Sequence, residues 1–122
     1  VAIFIGCILL SNNIRDLDGD KENGRKTLAI LFGRDRAIIF LSVLMITAYS
    51  LTAGYIIAGL LPIYSVISLL SIRFARKAVL TFLANNTNVT MMPAMVATAK
   101  TNTVYGLLIG ISLLIQFLFP IL

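Results

Sequence analysis

The chain has 122 residues, of which 59% are hydrophobic and only 12% charged, and its mean hydropathy is +0.98. That balance excludes an ordinary soluble domain, in which about a quarter of residues are charged, and points to an integral membrane protein. With no histidine and a single cysteine, Ser-His-Asp and Cys-His catalysis, an internal disulfide and a zinc site of the usual ligands are excluded too.

Residues 1–10 are an apolar run, too short to cross a bilayer, which takes roughly 20 residues. They lack the basic start and small-residue cleavage site of a signal peptide. The segment 1–13 therefore reads as the end of a membrane helix that begins upstream, with Cys7 as a small packing residue. Residues 14–36 form a polar loop that holds all five acids of the chain: Asp16, Asp18, Asp20, Glu22 and Asp35. Residues 37–72 carry no charge. A straight helix of that length would run about 54 Å, far beyond a ~30 Å hydrocarbon core. A hairpin of two spans is expected instead, 37–60 and 62–83, broken at Gly59 and Pro62. A polar connector over 84–100 follows. It carries glycosylation sequons at Asn85 and Asn88 and a short amphipathic segment at Met91–Thr98. Residues 101–120 are the last span.

The positive-inside rule orients these segments. Six bases fall within 14–36, and Arg73, Arg76, Lys77 and Lys100 make up the rest. Placing the loop at 14–36 in the cytoplasm puts the hairpin tip outside and gathers every base on one side. The sequons then lie on the cytoplasmic side and are discounted. The net charge of +5 follows from this sorting and implies no nucleic-acid partner. Arg73 lies only 11 residues after Pro62, which is shallow for a full crossing. It shares a helix face with Arg76 and Lys77. These three either anchor the helix at the interface or form the basic wall of an anion site.

Three readings compete for the acidic loop. A calcium loop fits Asp16, Asp18 and Asp20 as its first, third and fifth ligands, but Lys21 then stands at the required glycine and Thr27 at the closing glutamate. A solvated loop of balanced charges fits without further assumption. The third reading is a magnesium–diphosphate site. Asp16 and Asp20 are one helical turn apart, with Asn12 a turn earlier and Asn13 beside it. Such carboxylates can hold a hard divalent cation that keeps water or phosphate oxygens in its shell. Arg15, Arg25 and Lys26 can offset phosphate charge. Asp18 falls on another face and ranks lower.

The stretch Asn12-Asn13-x-Arg15-Asp16-x-x-x-Asp20, followed by Gly24-Arg25-Lys26-Thr27-Leu28-Ala29 and Gly33, resembles the second aspartate-rich motif of the UbiA superfamily of membrane prenyltransferases. The double asparagine and the Thr-Leu-Ala tail are most similar to the branch that prenylates 1,4-dihydroxy-2-naphthoate in menaquinone biosynthesis. The segment "TAKTNTVYGLLIGISLLI" resembles the last helix of that branch.

The resemblance implies an all-α membrane protein, a nine-helix bundle around a cavity, of which this chain would be the end of the sixth helix, the second motif loop and three further spans. It implies a bacterial cell-membrane protein with Mg²⁺ as cofactor and with a polyprenyl diphosphate and an aromatic acceptor as substrates. Asp16 and Asp20 become metal-binding and catalytic, and Asn12, Asn13, Arg15, Arg25 and Lys26 diphosphate-binding. The family's first motif, Asn-Asp-x-x-Asp-x-x-x-Asp, is absent here. Catalysis therefore needs the N-terminal half of the same enzyme. The aromatics Phe32, Phe40, Tyr49 and Tyr105 are expected to pack rather than to shield a prenyl cation. Two alternatives stay open: another acceptor such as 4-hydroxybenzoate, and a non-enzymatic membrane subunit or transporter fragment.

Overall fold

The computed structural model describes residues 1–85 and 87–120, and of Asn88 the backbone alone. Asn86 and the Asn88 side chain, both parts of the two sequons, lie outside the described residues. The described chain is all-α. It runs through α1 (Ala2–Arg15), α2 (Leu17–Glu22), α3 (Leu28–Phe32), α4 (Arg34–Ile57), a 3₁₀ segment (Ile63–Ser71), α5 (Ile72–Ala84) and α6 (Asn88–Leu118). Helices α4 and α6 are each long and apolar enough to cross a membrane.

The long elements form a bundle in which α1 packs on α4 and α6, and α5 packs on α6 and α4. Each turns one face inward. Phe4, Cys7, Leu10 and Ile14 do so from α1, Ala37, Ile38, Leu41, Met45 and Ala48 from α4, and Ala75, Ala78 and Phe82 from α5. Their three- and four-residue spacing is one side of a helix. The opposite faces expose Ile39, Val43, Ile46, Leu107 and Phe117, as suits a surface bathed by lipid. Many inward residues are alanine, serine or threonine. Small residues let helix backbones approach closely, which drives association where water supplies no hydrophobic force.

Polar pairs cross the bundle at mid-height. The Tyr105 hydroxyl meets Thr52 Oγ1 at 2.6 Å and the Tyr49 hydroxyl meets Ser71 Oγ at 2.5 Å. Phe4 packs against both tyrosine rings, with centroids 5.3 and 4.8 Å away. The hydroxyls of Tyr49 and Tyr105 are thus satisfied within the core, and Phe32 lies edge-on against Phe40 at 5.9 Å. Tyr105 is buried, Tyr49 and Phe40 are half-buried, and Phe32 stays exposed.

The hairpin turns where the sequence places it. Gly59 adopts φ 78, and the Leu60 N–H reaches back to the Tyr55 carbonyl at 2.9 Å. This is a glycine-closed helix end, and Pro62 then starts the next segment.

One expectation gains a detail and another requires correction. The second arm is helical from Ile63 to Ala84 but is not α-helical throughout. Its first nine residues form a 3₁₀ helix, although such runs seldom exceed three or four residues. Ser65, Ser68 and Ser71 explain the exception. At three residues per turn they stack on one face, and all are fully buried. Ser68 and Ser71 donate to the carbonyls three residues back at 2.7 Å, and Ser65 meets Ser112 of α6 at 3.0 Å.

The polar connector over 84–100 is likewise mostly helix. Thr87 and Thr90 make a reciprocal capping box, each side chain bonding the other's backbone N–H at 3.2–3.3 Å. That starts α6 at Asn88 and overrides the polarity of the stretch. The helix carries Pro93 inside it and runs 31 residues, about 46 Å at 1.5 Å per residue. Thr98 and Thr101, buried within it, satisfy themselves on the Ala94 and Ala97 carbonyls.

Candidate functional site

The polar loop is folded rather than open. α1 ends at Arg15 and α2 begins at Leu17, with Asp16 between them at φ −93, ψ 11. The hydrogen-bond ladder nevertheless continues through this joint. The Asp16 N–H reaches the Asn12 carbonyl at 2.9 Å and the Asp20 N–H reaches the Asp16 carbonyl at 2.8 Å. Asn12, Asp16 and Asp20 therefore occupy successive turns of a nearly continuous helix.

α2 closes through a glycine. Gly24 adopts φ 74, its N–H bonds the Lys21 carbonyl at 3.2 Å, and the Arg25 N–H bonds the Asp20 carbonyl at 2.9 Å. This pair of bonds is the Schellman arrangement, which requires a left-handed residue at this position. It folds Arg25 back over Asp20, where Arg25 Nη1 lies 3.5 Å from Asp20 Oδ1. Thr27 then caps α3, accepting the Ile30 N–H at 3.3 Å. The Gly24 and Thr27 of the motif thus have local structural duties.

The three aspartates have different surroundings. Arg15 grips Asp16 with two parallel bonds, Nε to Oδ1 at 2.8 Å and Nη2 to Oδ2 at 3.0 Å. That charge-assisted fork holds the Asp16 carboxyl below its ordinary range, while partial burial acts the other way. Asp20 is the most enclosed side chain, 14% exposed against 37% for Asp16 and 70% for Asp18. Asp18 points elsewhere and faces Arg34 at 3.5 Å.

The structure therefore brings together Asn12, Asp16 and Asp20 along one helical line, with Arg15 and Arg25 on the two carboxylates. Asn13 is half-buried at the end of α1, and Lys26 is exposed beyond Arg25. Among the described residues, no three acidic, cysteine or histidine side chains converge on one point. The oxygen donors present are two carboxylates with asparagine amides beside them. Magnesium suits such a partial set, because it retains waters and substrate phosphates in its shell.

Arg34 lies outside the motif and also reaches the loop. Its side chain packs at the edge of this loop, pairs with Asp18, and keeps a buried Nε without a hydrogen-bond partner among the described residues. The available signal was its position straight after Gly33, where a new helix starts. Met92 of α6 also reaches the site, its sulfur 3.7 Å from Arg15 Nη1.

A motif of this spacing, folded at the mouth of an apolar helix bundle, can be compared with known proteins. The model of the UbiA prenyltransferase family matches residues 1–89. The chain belongs to this family. It is 42% identical over 117 residues to the 1,4-dihydroxy-2-naphthoate octaprenyltransferase of Bacillus subtilis (strain 168), across 96% of this chain and 38% of that relative. The chain thus spans well under half of the relative's length. No solved structure matches it. Within the UbiA family, the matched region takes in α1, the folded loop, α4 and α5, which places every candidate site residue inside it.

Proposed function

We propose that this chain is the C-terminal part of a nine-helix, magnesium-dependent aromatic prenyltransferase and supplies one half of its diphosphate site. The complete enzyme would transfer a polyprenyl group from polyprenyl diphosphate to 1,4-dihydroxy-2-naphthoate. Diphosphate and CO₂ would be released and demethylmenaquinone formed. The observation that carries this reading is the Asn12–Asp16–Asp20 line, one residue per helical turn, in a chain 42% identical to a naphthoate octaprenyltransferase. The site would lie on the cytoplasmic side of a bacterial cell membrane, as the sorting of bases supports.

Asp16 and Asp20 would hold Mg²⁺, which when bound screens the diphosphate charge and improves it as a leaving group. Asn12 and Asn13 would orient phosphate oxygens through their amide N–H groups. Arg25 and Lys26, both exposed, would balance the remaining charge. Arg15 would keep Asp16 ionised and aimed. Apolar helix faces would carry the hydrocarbon tail and exclude water from the allylic carbon. The N-terminal half of the enzyme would complete the metal ligands and enclose the acceptor.

In the reconstituted full-length enzyme, Asp16→Ala and Asp20→Ala should each abolish prenyl transfer, and Asp18→Ala should be milder. Near-normal turnover in the Asp20 variant would overturn the assignment. Product analysis with 1,4-dihydroxy-2-naphthoate and 4-hydroxybenzoate offered together tests the acceptor.

A further inference from the structure

Helix α5 carries a polar stripe outside the residues assigned to the diphosphate site above. Arg73, Lys77, Thr81 and Asn85 follow one another at four-residue intervals, with Arg76 alongside. α5 turns Ala75, Ala78 and Phe82 into the bundle and leaves Arg73, Arg76 and Lys77 exposed. None of the three has an acidic partner among the described residues. Arg73 lies over the ring of Phe74, 4.8 Å from its centroid.

The stripe runs from mid-height to one end of the bundle. Ser71, two residues before Arg73, meets Tyr49 in the middle of α4. Asn85 lies near Arg34 at the end where the folded loop sits, across a cleft that both residues line. Arg73 is thus about 18 Å from Asn85 at 1.5 Å per residue. Cations at such depth are unfavourable against bare hydrocarbon and are matched by an anion or water.

Two grooves meet on this face. One, of about 690 Å³, follows the stripe from Ile72 to Asn85. The other, of about 570 Å³, lies between α4 and α5 and is walled by Met45, Ile46, Ala53 and Val79. They share Ile72, Arg76 and Leu80. The cationic groove extends toward the loop end and the apolar one toward mid-membrane. Their continuity fits a molecule with an anionic head and a hydrocarbon tail.

We propose that this face is a binding site for an anionic phospholipid of the cytoplasmic leaflet. Its phosphate is held by Arg73, Arg76 and Lys77, and an acyl chain lies in the α4–α5 groove. Basic pockets beside membrane helices on the cytoplasmic side recognise such headgroups. The site is built on a different element from the diphosphate site, because Arg73, Arg76 and Lys77 belong to α5 whereas Asn12 and Asp16 belong to α1 and the joint that follows it. The inference rests on the orientation proposed above, not on the prenyl-transfer chemistry.

The test is native mass spectrometry and thermal unfolding of the full-length protein. Phosphatidylglycerol, phosphatidylcholine and inorganic diphosphate are supplied in separate arms. Preferential retention of phosphatidylglycerol is expected, weakening by roughly fivefold for each charge removed in Arg73→Gln, Arg76→Gln and Lys77→Gln. The charge-keeping set Arg73→Lys, Arg76→Lys and Lys77→Arg should retain the lipid, and Lys77→Gln alone serves if the triple variant does not fold. Asp16→Ala should keep the lipid even when inactive, which separates this site from the metal site. Equal retention of phosphatidylcholine, an unchanged lipid preference in the Gln variants, or protection by inorganic diphosphate alone would overturn the proposal. So would no lipid retention by the wild type, the result expected if the rest of the protein covers α5.

Discussion

Replacing Gly24 with alanine isolates the contribution of the loop closure. A Cβ built on Gly24 meets no atom within 4 Å, so the substitution introduces no clash. The remaining cost is that of a left-handed conformation at φ 74, about 1–2 kcal/mol for a residue with a Cβ. The cost falls on a small local unit, because α2 has six residues and no buried side chain, and isolated helices of that length are marginal. The loop should therefore reopen while the bundle stays folded. Arg25 then loses its backbone bond to Asp20 and its place over the carboxylate. A shift of 1–2 kcal/mol corresponds to a roughly 5- to 30-fold change in the closed-to-open ratio. The expected result is a rise in KM for the prenyl diphosphate of up to that factor, with the thermal unfolding midpoint nearly unchanged. Gly24→Asn should be milder, since asparagine tolerates the left-handed region better. If Gly24→Ala binds substrate like the wild type while Arg25→Gln does not, the closure does not position Arg25 and the reasoning fails.

Two further outcomes follow from contacts elsewhere. Thr52→Val and Tyr105→Phe each remove one side of the 2.6 Å bond at mid-bundle. A double-mutant cycle in detergent or bicelles should give a coupling near ~0.6 kcal/mol, the average for such bonds in a membrane protein. A coupling of zero would mean that the pair does not hold α4 to α6. The Arg15–Asp16 fork sets a pH dependence. Asp16 has its folded pKa lowered from 3.8, so its stabilising contribution is full above the ordinary carboxylate range and is lost as pH falls through the depressed value. Hydrogen exchange across residues 12–20 should stay protected to lower pH in the wild type than in Arg15→Gln. The difference should shrink in high salt, because the pair is partly exposed.

Charge and hydropathy made the two long apolar helices, α4 and α6, legible. Residues 37–72 had to fold back, and Gly59 with Pro62 offered the one good break. The one-turn spacing of Asn12, Asp16 and Asp20 was equally visible, because helical period follows from numbering alone. What the sequence hid was geometry set by side-chain hydrogen bonds. The pattern Ser65, Ser68, Ser71 reads as small polar residues in any helix, and only their burial against α6 shows why a 3₁₀ turn is preferred. The Thr87–Thr90 box looked like a polar linker, since its effect on the backbone depends on both hydroxyls bonding locally. Arg34 was passed over because its neighbours in space, Asp18 above all, come from across a turn that is not apparent in the linear order.

The 3₁₀ segment also decides which way the next helix looks. A 3₁₀ helix turns 120° per residue and an α-helix about 100°. Over the nine residues from Ile63 to Ser71 the difference accumulates to about 180°. A continuous α-helix starting at Pro62 would therefore present Arg73, Arg76 and Lys77 toward the bundle interior and send Ala75, Ala78 and Phe82 outward. Three serines thus act as a half-turn rotation, fixing the azimuth of every side chain that follows them.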